Sequence, residues 1–192
     1  MIQKICFLMA ASFLMIASIN AQDTVYLKRE AKKKIFTDRP PQAVFVELGG
    51  ASPVFSANYD RRFNQQTDGL GFKVGIGYNF SNNDDGISIT SLPVGINYLA
   101  GNNKRGRFFE IGFNETLLFA KANDTYGPNS TYDNGLLILH GGESKTLLFT
   151  SIALGYRSQP IAGGFNFRTG LLPYFIDSKT GVSAYLSFGY NF

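Results

Sequence analysis

From Pro41 onward the chain alternates apolar and polar positions with a period of two. The final segment shows it most plainly. Val182, Ala184, Leu186, Phe188, Tyr190 and Phe192 share one parity, while Ser183, Tyr185, Ser187, Gly189 and Asn191 share the other. Successive side chains of a strand point to opposite faces, so this split predicts a strand with one apolar and one polar side. The same split recurs upstream. A first strand sets Val44, Val46 and Leu48 against Phe45, Glu47 and Gly49. A second sets Phe55, Ala57, Tyr59 and Phe63 against Ser56, Asn58, Asp60 and Arg62. A third sets Leu70, Phe72, Val74, Ile76 and Tyr78 against Gly71, Lys73, Gly75 and Gly77. The fourth opposes Leu92, Val94, Ile96 and Tyr98 to Ser91, Gly95 and Asn97. The fifth opposes Phe109, Ile111, Phe113, Leu117 and Phe119 to Glu110, Gly112, Asn114 and Thr116. The sixth opposes Leu148, Ile152, Leu154 and Tyr156 to Ser151, Ala153, Gly155 and Arg157. The seventh opposes Phe165, Phe167, Leu171, Pro173 and Phe175 to Asn166, Arg168, Gly170 and Tyr174.

Eight strands result, each near the roughly 9–11 residues that a tilted strand needs to cross a hydrocarbon layer. Two details break the pattern. Glu115 falls on the apolar side of strand five, and Ile87 and Ile89 are out of phase with Leu92. A bulge, or a position above the membrane rim, is the expected cause of either.

Alternation alone also suits a soluble barrel, with its apolar face inside. Three features point the other way. The polar parity is rich in glycine and small residues, which fit a cramped eight-stranded interior. Its charges are few and of both signs: Glu47, Asp60, Arg62, Lys73, Glu110, Arg157 and Arg168. Aromatic residues recur at strand ends (Tyr59, Phe63, Tyr78, Phe80, Tyr98, Tyr156, Tyr190 and Phe192), where girdles meet headgroups. The predicted fold is therefore all-β, an eight-stranded antiparallel up-and-down transmembrane β-barrel. Lipid tolerates no open strand edge, so strand one is expected to close on strand eight. With the N-terminus in the periplasm, connections near 50–53, 81–86, 120–144 and 177–181 face outward. Those near 64–69, 101–106 and 158–163 are inward turns. The segment 120–144 is much the longest, as outward loops are.

Composition agrees. The 192 residues include 18 Phe, 10 Tyr and 21 Gly, with modest charge. Residues 1–21 carry Lys4, then the apolar run Ile5–Ile19, then the small-residue boundary Asn20-Ala21. This is the pattern of a secretory signal peptide, and the run is too short for a membrane-spanning helix. Residues 22–42 form a polar basic periplasmic leader with Lys28, Arg29, Lys32, Lys33 and Lys34, read as a solvated face. The outer-membrane barrel then occupies 43–192. Cys6, the only cysteine, lies in the signal, so the exported chain has no disulfide, thiol nucleophile or lipid-bearing cysteine. A mature net charge near +3 is too mild to suggest nucleic acid.

The terminal Tyr190-Asn191-Phe192 resembles the C-terminal strand signal that barrel-assembly machinery reads in bacterial outer-membrane barrels. The body is similar to the small outer-membrane β-barrel proteins of the Bacteroidota. Glu47-Leu48-Gly49-Gly50, Asn58-Tyr59-Asp60-Arg61-Arg62-Phe63, Leu92-Pro93-Val94-Gly95-Ile96-Asn97-Tyr98-Leu99 and Gly155-Tyr156-Arg157 carry that likeness. The architecture also resembles the ion-paired barrels of the OmpA and OmpX kind. The resemblance implies a fold and a compartment, with outer-membrane lipids and the assembly machinery as partners. It implies no catalytic residue and no cofactor.

Candidate chemistry is sparse. His140, Glu143 and Ser144 lie close in sequence, and a triad would need a base within reach of its nucleophile. Here they sit in or beside a loop, and a rim residue is the preferred reading. Asp84 and Asp85 offer two carboxylates, but adjacent acids beside Gly86 read as a turn. Asn114, Asn123 and Asn129 start acceptor-like triplets without consequence in a bacterial barrel. The inward charges are the informative set. Unpaired charge in a narrow lumen is costly, so ion-paired ladders across it are expected. A lumen filled by eight strands' side chains makes a polar plug the preferred reading over a selective channel. The expected role is a non-enzymatic one, structural or in surface interaction through an extracellular ligand at 120–144. A small pore for ions or hydrophobic solutes ranks second, and a lipid-modifying enzyme third.

Overall fold

The computed structural model describes residues 37–192 apart from 38, 54, 80–85, 103–105, 124–126, 134–135 and 178. The expected signal segment, most of the leader and the acids Asp84 and Asp85 lie outside the described residues. Contacts group the chain into two units, Met1–Lys33 and Lys34–Phe192, and the described residues belong to the second.

Among the described residues ten strands follow one another: β1 (Gln42–Gly49), β2 (Phe55–Arg62), β3 (Gly69–Tyr78), β4 (Ile87–Asn102), β5 (Arg107–Ala122), β6 (Thr131–Asp133), β7 (Ile138–His140), β8 (Ser144–Ser158), β9 (Gly164–Ile176) and β10 (Lys179–Asn191). Eight of them close into one antiparallel barrel, in which β1 pairs with both β2 and β10. β6 and β7 form a separate short hairpin inside the long β5–β8 connection. The seam is complete at the end where the chain enters. Phe192 N–H donates to Gln42 C=O at 3.0 Å, and Gln42 N–H donates to Phe192 C=O at 3.3 Å. That end is the near end below; the hairpin marks the far end.

The parity of the sequence becomes the parity of the wall. Val44, Val46 and Leu48 of β1 lie outward and exposed, whereas Phe45 and Glu47 are buried inside. The same holds on β5, where burial alternates residue by residue along the whole strand. The outer surface is thus mainly apolar, and seven charged side chains are internal.

Neither break in the pattern is a bulge. β4 and β5 pair without interruption from Ile87–Ala122 to Asn102–Arg107, and β5 and β8 from Arg107–Ser158 to Lys121–Ser144. Glu115 stays on the outward face, directly opposite Thr150. Ile87 and Ile89 point inward in phase with Ser91 and Asn97. The strand never shifts; the chemistry of the lumen changes along it.

Five wall strands exceed the expected length, three of them most. β4 and β5 have 16 residues each and β8 has 15. Their far ends are stabilised from both sides, because apolar residues there occupy both parities (Leu117-Leu118-Phe119-Ala120). The long connection is correspondingly shorter than 120–144, since Ala120 and Ala122 are still wall residues. Two prolines interrupt the ladders. Pairing skips Gly75–Ile76 opposite Leu92–Pro93, and Ile152–Ala153 opposite Leu172–Pro173, because proline has no N–H to give.

Inward glycines make room for large neighbours. Tyr185 lies buried across Gly155 and Gly170. A Cβ on Gly170 would sit 2.6 Å from Gly155 Cα and against the Leu154 carbonyl, both backbone and unable to swing away. Gly170→Ala should therefore destabilise the barrel by about 1–3 kcal/mol, through overpacking. Urea unfolding of the barrel in micelles would read this; an unchanged midpoint would contradict the packing described.

Candidate functional site

The lumen is the site, and it is stacked in three layers. The layer toward the near end holds the charges. β2 brings in Asp60 and Arg62, β3 Lys73, β1 Glu47, β5 Glu110, β8 Arg157 and β9 Arg168. All seven are buried. Asp60 is the hub. Its carboxylate accepts from Arg62 at 2.9 and 3.0 Å and from Arg157 at 2.9 Å, and Arg168 lies 3.2 Å away. Asn97 fills the space beside it, donating to Asp60 at 2.6 Å and accepting from Arg62. Glu110 stands further off, 3.9 Å from Arg157 and 3.6 Å from Arg168. The Arg168 guanidinium also lies 3.9 Å above the Phe45 ring, a cation–π contact.

Lys73 and Glu47 form a second group at 3.4 Å. The Glu47 carboxylate also accepts from the Ala51 N–H and the Ser187 hydroxyl, each at 3.3 Å. The arrangement is a hub with an adjoining pair rather than a set of parallel ladders. A cavity of about 10 Å³ separates the two groups, bordered by Glu47, Lys73, Glu110, Arg168 and Tyr185. That is the space one water needs.

The middle layer is made of amides and hydroxyls. Ser52 and Ser91 share a hydrogen bond at 2.7 Å, and Thr116 donates to the Ala51 carbonyl at 2.8 Å. Asn58 donates to Ser56 at 2.8 Å. Ala51 and Ser52 belong to the β1–β2 connection, which dips into the lumen instead of standing clear of it. Their burial, 0% and 2% exposed, shows that this connection fills the space above the short strands β1–β3.

The layer toward the far end is apolar. Ile87, Ile89, Leu118, Ala120, Leu147, Phe149, Leu172 and Ile176 line it from the wall, and Leu137 and Leu139 enter it from the hairpin. Tyr132 and Leu136 pack against the same cluster. The ring of Tyr132 lies so close to Gly86 that a Cβ there would overlap it. The polar interior expected from the sequence is therefore confined to the near and middle layers. The signal for the apolar layer was present in Leu136-Leu137-Ile138-Leu139 and in Leu117-Leu118-Phe119-Ala120, runs apolar on both parities.

The other candidates are not brought together as chemistry requires. His140 is exposed at the end of β7, its ring 3.5 Å from the Thr131 hydroxyl. Glu143 accepts the backbone N–H of His140 at 2.9 Å, so it caps a turn and does not orient the imidazole. Ser144 opens β8, opposite Lys121. Among the described residues, no group of three or more His, Cys, Asp or Glu is placed to hold a metal. Asn114 is buried in the lumen, out of reach of any modifying enzyme. Tyr190 and Phe192 stand outward at the near end, 58% and 47% exposed.

Removing the hub leaves three buried guanidinium groups, of which Arg157 and Arg168 keep the more distant Glu110. Asp60→Ala should cost about 3–5 kcal/mol, the usual penalty for stranding a buried charge. Replacing Glu47 and Lys73 together by Leu and Met should cost less than replacing Glu47 alone. Urea midpoints of the three variants would test both statements, and a harmless Asp60→Ala would show that the hub is not what holds the lumen.

No family model matches the sequence, and no curated protein is detectably similar to it. Among solved structures, the chain is similar to the N-terminal β-barrel domain of Pseudomonas aeruginosa OprF. The identity is 12% and the TM-score 0.52, over 80% of this chain and 96% of that one. The likeness is one of fold: a closed, eight-stranded, antiparallel barrel.

Proposed function

We propose that this protein is an integral outer-membrane β-barrel of non-enzymatic role, structural or in surface interaction. One observation carries the reading. Large apolar side chains form the outer surface, with Ile76, Leu171 and Val182 more than half exposed, while seven charged groups are buried inside. A soluble domain rarely exposes apolar patches beyond a few hundred Å². A closed barrel in hydrocarbon accounts for both features, because only apolar atoms can meet the acyl chains and the polar groups must turn into the lumen. The similarity to an outer-membrane barrel domain supports the same compartment.

Export would use residues 1–21, and assembly would use Tyr190 and Phe192. The source implied by the resemblance is the envelope of the Bacteroidota. Outer-membrane lipids are the standing partner. The far end faces the exterior in this reading, since the long connection lies there. The outer side of its hairpin, with Ile138 54% exposed beside His140, is the surface offered to an extracellular ligand. The lumen is blocked twice in series, by the arginine hub and by the apolar layer. A small pore for ions or hydrophobic solutes is the second reading. It is favoured by the count, among the described residues, of four buried cations to three buried carboxylates in the lumen, and it would need both blocks to move.

Electrophoresis of the outer-membrane fraction, boiled against unboiled, tests the barrel. A heat-dependent mobility shift is expected; a periplasmic protein without a shift would overturn the membrane assignment. In planar bilayers the protein should show no discrete conductance. Reproducible channel openings would promote the pore instead.

A further inference from the structure

We propose that the wall formed by β4, β5 and β8 is the face on which two copies of this barrel meet in the membrane, through Glu115. The inference rests on the membrane reading above. On the outward parity of β5, Glu115 follows Phe109, Ile111 and Phe113 and precedes Leu117 and Phe119. It therefore sits in the middle of the apolar belt, beyond the reach of lipid headgroups. Its neighbours across the ladders are Val94 on β4 and Thr150 on β8. Val94 gives no hydrogen bond. The Thr150 hydroxyl donates at 3.1 and 3.0 Å to the two carboxyl oxygens, one hydrogen shared between them. The remaining hydrogen-bonding capacity of the carboxyl faces the apolar belt, where a polar group without a partner is costly. An ionisable side chain in such a place marks a site by default.

Acyl chains carry no donor. Among the described residues, the cations on the outward parity of β5 itself, Arg107 and Lys121, lie at its ends and not at its middle. A second copy supplies what is missing. Two carboxyls facing each other across a two-fold axis exchange O–H···O hydrogen bonds, while each Thr150 caps its own carboxyl. The contact is self-complementary, as a two-fold interface must be. The wall suits it, because β4, β5 and β8 are the three longest strands and present Leu92, Val94, Ile96, Phe113, Leu148 and Ile152 around the polar pair. Polar side chains act as the glue between such apolar surfaces.

The test uses the full chain with Cys6→Ser, refolded into phosphatidylcholine vesicles. The heat-dependent gel shift is measured first on every variant. A chain that neither inserts nor shifts sinks the membrane reading, and this inference with it. In inserted barrels, energy transfer between donor- and acceptor-labelled copies should saturate as for dimers. Glu115→Leu should weaken association about tenfold or more, the size of one membrane-embedded hydrogen-bonded contact. Glu115→Gln keeps a donor and an acceptor and should restore most of it. Single cysteines at Val94 or Ile152 should cross-link between copies, and one at Val46 on the opposite wall should not. Monomers at every protein-to-lipid ratio would overturn the proposal. So would association unchanged by Glu115→Leu, cross-linking through Val46, or association that appears only when a second, basic membrane protein is added.

Discussion

A single carboxylate holds the charged layer together. Asp60 faces three guanidinium groups inside a wall that leaves about one water's space nearby. Such a cluster cannot be dissected piece by piece, because any partner removed leaves the others charged and dry. It ties β2 to the adjacent strands β8 and β9 on the opposite side of the barrel. Closure of the sheet brings these strands to face each other, and the hub rewards only that closure. Register is fixed by the same means, since a slip of one residue would turn Asp60 outward.

The apolar layer solves a different problem. Strands β4, β5, β8 and β9 rise past the short β1, β2 and β3 and would leave a half-open cup. The hairpin of β6 and β7 folds back into it, and the β1–β2 connection fills the lower side. Hydrophobic burial thus operates inside the barrel, in a layer distinct from the apolar outer surface. Two blocks of unlike chemistry in one lumen weigh against free passage of either ions or greasy solutes. The molecule's accessible chemistry is therefore on its surfaces: the hairpin's outer side and the belt that carries Glu115.

Much was legible in the sequence because a strand's side-chain period is two and the barrel preserves it. The eight wall strands, their parity, the seven inward charges and the seam between first and last strand all follow from alternation and from the need to leave no edge open. Ile87, Ile89 and Glu115 looked like faults because alternation was judged by chemistry, polar in and apolar out. Their parity is regular; the surroundings differ from the rule. A residue's parity is local information, whereas the filling of the lumen at its height depends on strands and connections distant in sequence.

The sequence by itself determined the barrel's topology and which side of each strand faces inward, since both depend on short-range pattern. Only the tertiary structure decided that Asp60, and not Glu47 or Glu110, gathers the arginines. It also decided that Leu137 and Leu139 complete an internal core and that Thr150 is the residue that meets Glu115. Each of these depends on strand stagger round a closed wall, a long-range quantity that no single strand's pattern contains.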